Sequence, residues 1–450
     1  MFTSIEQIES SVSDGGAGAR AVGGLDSNTS FVDQKLVDEA YESLEKQHEL
    51  RSEPRRRLWA EQRSAAYLLK GKKQGRVSKC LKSLAYGKDG VNVEIYDERA
   101  RFGNLMTCGN VWTCPICSRN ISRIRAREAN KALAWARAKD SEGFINATPM
   151  MMTLTARHGR KDDLAVLVNG LLEAKRMMFQ SKKWRKIKPR IAGFLIAFEI
   201  THGKNGWHPH FHIIFFVKTS SSKEAAKLLS MKALWLRCLR SQGLSGNGHG
   251  FDLAEGDKVG NYISKFGAAD GFRTSDAVKR ISDAKRAGNW DLASEITAQH
   301  RKKSTRKLGS GRNPWELLED YTHEGDNQAG ALFIEFAEVF HGKQQLQWSR
   351  GLKQLVGVDE ITNEDAADAD VEFLGELDRI GITISPRDWY ELLKKTTRIQ
   401  RLEILETAEL TDDDEMVWLK VEELLGRDAD RELDNYRQIK ERREISYQHS

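Results

Sequence analysis

The sequence predicts an α+β protein. Three observations carry that prediction: a strand–turn–strand unit over Phe194–Val217, a compact apolar run ending in Thr-Leu-Thr at Met150–Thr155, and amphipathic helical periodicity over Lys161–Phe179. In the first of these, two apolar runs flank Thr201–Trp207, whose Asn205-Gly206 pair is a strong hairpin signal. The second run carries His208, His210 and His212, which point to one face because strand side chains alternate. A turn centred on Lys204-Asn205 sets Glu199 opposite His210, and one centred on Asn205-Gly206 sets it opposite His212. In both registers Glu199 shares the histidines' face at the roughly 5 Å Cβ spacing of cross-strand neighbours. A carboxylate and two imidazoles converging there form a three-ligand site for a divalent cation with open positions. A single strand histidine is ordinarily a surface or core residue. Two in phase, facing a carboxylate, are a stronger signal.

Charge narrows the partner. Residues 1–50 carry a net −7, residues 359–450 a net −13, and the body between them about +26. A basic body between acidic ends suits a protein that binds a polyanion such as nucleic acid. A small-molecule hydrolase gains nothing from such a field. No apolar run approaches the roughly 20 residues of a membrane span, and the polar, Gly/Ser-rich first twenty residues do not read as a secretory signal. The expected location is cytoplasmic.

Taken in order, residues 1–30 lack periodicity and are expected to be disordered. A helical and zinc-binding region follows over 31–145. It holds the basic clusters Arg55-Arg56-Arg57 and Lys70–Lys82, then two short strands at Val91–Asp97 and Arg101–Thr107. Cys114-Pro-Ile-Cys117 is a metal-binding knuckle, Cys108 offers a third ligand and Cys80 a fourth. Four thiolates in 38 residues, with the fifth cysteine far off at Cys238, point to structural Zn²⁺ rather than a redox pair. An Arg-rich helix runs from Cys117 to about Lys139. A domain built on the histidine hairpin is expected over 146–310, a helical extension over 311–358 and an acidic helical region over 359–450. Just before the histidine hairpin lie Lys182, Lys183, Trp184, Arg185, Lys186, Lys188 and Arg190, an aromatic amid cations of the kind that tracks single-stranded DNA. After it, Lys258–Phe266 reads as one short helix placing Tyr262 and Lys265 on a shared face.

A cysteine knuckle, MTLT at 152–155, His210-Phe211-His212 on a strand and Tyr262-Ile263-Ser264-Lys265 on a helix occur in that order. The set resembles the rolling-circle replication initiators of the HUH endonuclease class, the plasmid Rep proteins with a single catalytic tyrosine. The resembling region spans about Cys80 to Tyr321. HxH or YxxK alone is weak, whereas the ordered set with the cysteines upstream is specific. The resemblance implies an HUH-type, mainly antiparallel sheet flanked by helices. It also implies a nicking reaction in which Tyr262 becomes a 5′-phosphotyrosine and leaves a free 3′-OH. Mg²⁺ or Mn²⁺ would sit on His210 and His212, with Glu199 as third ligand and His208 in reserve, and Lys265 would favour the phenolate. Melted origin DNA is the implied partner, with host polymerase and helicase beyond it. Where relatives often place a glutamate one turn before the tyrosine, this chain has Lys258, so no residue is assigned to activate water at termination. Mobilisation relaxases and single-tyrosine transposases share the chemistry, but relaxases usually place the tyrosine ahead of the histidines and the transposases are much shorter. A zinc-stabilised DNA binder without catalysis is the reading from a different class.

Overall fold

The structure, a computed structural model, describes residues 52–96, 99–140, 143, 146–218, 227–255, 311–368, 377–411 and 413–427. The chain divides into two compact units, Met1–Pro54 and Arg55–Ser450. The first falls almost wholly outside the described residues, as do Lys258, Tyr262 and Lys265. Among the described residues no helix is long and apolar enough to cross a membrane.

The second unit begins within helix α1, residues 52–68. Strands β1 (Val91–Tyr96) and β2 (Arg99–Gly103) then pair antiparallel. Helix α2 (Pro115–Arg137) starts at the cysteine knuckle, with Pro115 supplying a preset φ at the first helical position. Strand β3 (Thr148–Thr155) leads to helices α3 (Leu164–Gln180) and α4 (Lys182–Ile187). The hairpin β4 (Ile191–Gly203) and β5 (Gly206–Val217) follows, then α5 (Met231–Ser241) and β6 (Phe251–Glu255).

These strands build a five-stranded antiparallel sheet in the order β6-β3-β5-β4-β7. Alternation along its strands gives two unlike faces. One presents Met150, Met152, Phe198, Phe211, Ile213 and Phe215 to the core, against Leu167, Leu171 and Met178 of α3. The other presents Met151, Leu195, Ala197, Ile214 and Phe216, packed against Ala129, Ala132, Leu133 and Ala136 of α2. That small-residue stripe seats the Arg-rich helix on the sheet while its arginines stay off the interface.

After residue 310 come α6 (Pro314–Glu319), capped by a reciprocal Asn313–Glu316 box, and α7 (Asn327–Phe340). Strand β7 (Leu346–Trp348) then joins the sheet edge beside β4, followed by the short α8 (Leu352–Val356) and α9 (Asn363–Asp368). Within the span 311–358, expected as a helical extension, β7 interrupts the helices, and its three residues are too few to show a period of two.

The acidic segment supplies β8 (Arg379–Ile384), α10 (Pro386–Lys395), α11 (Arg398–Thr411) and α12 (Asp414–Leu425). Strand β8 pairs with β1, completing a sheet ordered β2-β1-β8. Fully buried Trp389 packs edge-on against Phe102, with ring centres 5.1 Å apart, and donates from Nε1 to the Lys82 carbonyl at 2.7 Å. The two charge blocks also meet. Arg55 pairs with Glu409 at 2.5 Å, Arg56 with Glu406, and Arg76 with Glu364 at 3.1 Å. Part of the excess positive charge in the body is thus neutralised within the fold.

Candidate functional site

The hairpin sets the site. Its register pairs Gly203 with Gly206, Thr201 with His208, Glu199 with His210 and Ala197 with His212. The turn is therefore centred on Lys204-Asn205, the first of the two registers open to the sequence. Gly206 carries the left-handed conformation, φ +80°, and a Cβ there would come within 3.0 Å of the Gly159 carbonyl. Both facts require glycine at that position.

Glu199, His210 and His212 are buried, at 7, 8 and 9% exposure. Glu199 Oε2 lies 2.6 Å from His210 Nε2 and 3.5 Å from His212 Nε2. The three side chains form a group able to hold a metal ion. The other ring nitrogens are held from behind. His210 Nδ1 lies 3.3 Å from the His208 carbonyl, and His212 Nδ1 lies 3.0 Å from Thr153 Oγ1. A carbonyl only accepts, so His210 Nδ1 carries the proton and its Nε2 is a lone pair when the ring is neutral. A lone pair 2.6 Å from a carboxylate oxygen needs a cation shared between them, either an added proton or a bound metal. The donor set fits a divalent ion on these grounds.

His208 is turned elsewhere. Its Nε2 meets Thr155 Oγ1 at 3.1 Å, and its ring stacks on His158 with centres 4.8 Å apart. Burial, together with the His210 and His158 imidazoles, pushes its pKa down to about 3. Thr153 and Thr155 stand opposite His212 and His210 across β3–β5. In the sequence both are marked only as part of the MTLT run, with no role of their own. The one available signal is that Thr-Leu-Thr places two hydroxyls on one strand face, as His-Phe-His places two imidazoles.

The four cysteines Cys80, Cys108, Cys114 and Cys117 also converge, all buried, in a second group able to hold a metal. Sulphur separations are 3.5 Å for Cys80–Cys117, 3.6 Å for Cys108–Cys117 and 3.7 Å for Cys80–Cys114. These are far from disulfide length. They are close to the edge of a tetrahedron with metal–sulphur bonds of about 2.3 Å.

The stretch 182–190 requires a correction. Trp184, expected at the surface of a groove tracking a single strand, is 3% exposed and packs against Phe179, Phe194 and Phe215. Its ring is not a stacking platform. Lys182, Arg185, Lys186, Lys188 and Arg190 remain exposed, while Lys183 is half-buried and donates to the Ser230 carbonyl. Beside Trp184 a cavity of about 510 Å³ is lined by Leu172, Lys175, Phe179, Phe194 and Gln347, among others. Lys175 Nζ lies 3.1 Å from Gln347 Oε1 and 4.8 Å from the Phe211 ring centre, and burial pushes its pKa down to about 8.

A family model described as a replication protein matches residues 100–242. That span contains Cys108, Cys114, Cys117, Thr153, Glu199, His210 and His212 and ends before Tyr262. A protein rep of Streptomyces lividans is 25% identical over 72% of this chain and 80% of its own length. Proteins rep of Bacillus amyloliquefaciens and a Bacillus species are 29% and 27% identical, each over 38% of this chain. The aligned regions span 47% and 52% of those two relatives. No solved structure matches the chain. These matches support the resemblance to plasmid rolling-circle replication initiators drawn from the motifs.

Thr153→Val keeps the side-chain shape but removes the group holding His212 Nδ1. It is expected to weaken Mn²⁺ binding about ten- to a hundredfold in a calorimetric titration; unchanged affinity would separate Thr153 from the centre. For Lys175 the sign follows from linkage. Its pKa is about 8 in the folded chain and about 10.4 unfolded, so between those values the unfolded chain holds more protons and stability rises with pH. Denaturant unfolding from pH 8 to 10 is expected to show that rise relative to Lys175→Met; parallel profiles would contradict it.

Proposed function

We propose that the protein initiates rolling-circle replication of a plasmid by nicking one strand at an origin, with Tyr262 as the nucleophile. The observation that carries this reading is the convergence of Glu199, His210 and His212 on the central hairpin of a replication-protein domain. Cutting a strand while conserving the energy of its phosphodiester calls for a covalent protein nucleophile rather than water. Tyr262 Oη bonds to the phosphorus as the bond from phosphorus to the 3′-oxygen breaks. The phenolic proton is released to solvent, and the departing oxygen takes up one proton. The products are a 5′-phosphotyrosine and a free 3′-OH, which a host polymerase extends on a template that a host helicase unwinds.

The phenol has an ordinary pKa near 10 and must be activated. Lys265, three residues on, favours the phenolate and holds the phosphate. His210, His212 and Glu199 would hold the divalent ion, Mg²⁺ or Mn²⁺ by the hard-ligand preference of phosphate chemistry. When bound, that ion polarises the scissile phosphate and balances charge in the transition state. Cys80, Cys108, Cys114 and Cys117 would hold a structural Zn²⁺. Exposed Lys182, Arg185, Lys186, Lys188 and Arg190 contact the DNA backbone as phosphate ligands.

The test is covalent capture. A single-stranded origin oligonucleotide with Mn²⁺ is expected to give a protein–DNA adduct that survives denaturation with the parent chain and none with Tyr262→Phe. Binding of both proteins should weaken steeply with rising salt. Equal adducts from both would remove Tyr262 as the nucleophile, and salt-insensitive binding would remove the phosphate contacts.

A further inference from the structure

Arg398 opens α11 and is buried at 4% exposure. Its Nη2 donates to the Cys80 carbonyl at 2.7 Å, and its guanidinium carbon lies 5.3 Å from the Trp59 ring centre. Its Nη1 is buried and meets no hydrogen-bond acceptor. Arg401, one turn on and equally buried, spends its Nη1 on the Thr396 carbonyl at 2.8 Å and the Thr396 hydroxyl at 2.9 Å. Among the described residues no carboxylate pairs with Arg398. Burial lowers its pKa, and ionised Cys80, Cys114, Cys108 and Cys117 would oppose that shift.

A guanidinium cannot shed its proton, and burying it without an opposite charge costs several kcal/mol. Four neutral thiols offer no such charge. Four thiolates on one divalent ion carry a net charge of −2, spread over sulphurs that accept hydrogen bonds. We infer that Arg398 is the counter-charge of the metal-bound cysteines, so that loading the metal and docking α11 are one event. Residues 377–427 then act as a metal-dependent clamp. β8 closes the free edge of β1, Trp389 fills the space beneath β2, and Glu406 and Glu409 engage Arg56 and Arg55. Losing the metal leaves Arg398 buried against neutral thiols, and the clamp lets go.

This inference rests on the zinc reading of the four cysteines, and the experiment separates the two. Zinc content and affinity are measured by chelator competition on the full chain, and hydrogen exchange is followed before and after stripping. A parent chain that neither holds nor takes up zinc overturns both readings. Given zinc, stripping is expected to speed amide exchange across β8 and α11 while β5 and α3 stay protected. Arg398→Met should weaken zinc binding ten- to a hundredfold, the range for loss of an outer-shell partner, with Arg398→Lys recovering part of it. Arg401→Met, which removes a buried arginine bonded to Thr396, should leave zinc affinity within about threefold. Protected β8 amides in the stripped parent, or parent-like zinc affinity in Arg398→Met, would overturn the clamp. If Arg398→Met does not fold, the exchange measurement on the parent decides alone.

Discussion

The structure depends on one cross-strand pairing, Glu199 opposite His210. Because strand side chains alternate, a one-residue slip would send the imidazoles into the face lined by Phe198, Phe211 and Phe215 and bring apolar side chains to the site. The apolar inner face therefore holds the polar one in place. The two-residue turn at Lys204-Asn205, with Gly206 in the left-handed region, fixes the same register from the other end. Thr153 and His208 then complete the arrangement by holding the outward ring nitrogens. The candidate centre follows from how the sheet is built, with each donor on a strand whose opposite face is core.

A second organising element is the cysteine cluster. Chain segments about 300 residues apart meet at Cys80, whose carbonyl accepts from Arg398, and the same two segments pair through β1 with β8 and Arg55 with Glu409. The sequence's charge segregation takes on a different sense there. The acidic end partly cancels the Arg55-Arg56 cluster, so the field available to DNA is smaller than the summed charge of the body suggests. The cations that remain exposed along 182–190 sit on α4 and the turn that leads into the hairpin.

Much of this was legible in the chain because it is local. The hairpin, the shared face of His210, His212 and Glu199, and the cysteine spacing are all short-range patterns with a fixed period. What was not legible depends on partners distant in sequence. Trp184 looks like a surface aromatic among lysines until β4 and β5 bring Phe194 and Phe215 against it. β7 is too short to carry a period, and the pairing of β8 with β1 leaves no trace in either segment alone. Thr153 and Thr155 belong to a recognisable motif, but their bonds to His212 and His208 depend on the β3–β5 register, which no local signal sets. Arg398 reads as an ordinary helix arginine until the fold buries it against the Cys80 carbonyl.

The central claim is that the Glu199, His210 and His212 group is a cation site. The most direct measurement is anomalous diffraction from crystals of the protein equilibrated with Mn²⁺. The account predicts a peak about 2.0–2.3 Å from His210 Nε2, His212 Nε2 and a Glu199 oxygen. A site with no peak, and with Glu199 Oε2 still in contact with His210 Nε2 at saturating Mn²⁺, would contradict it.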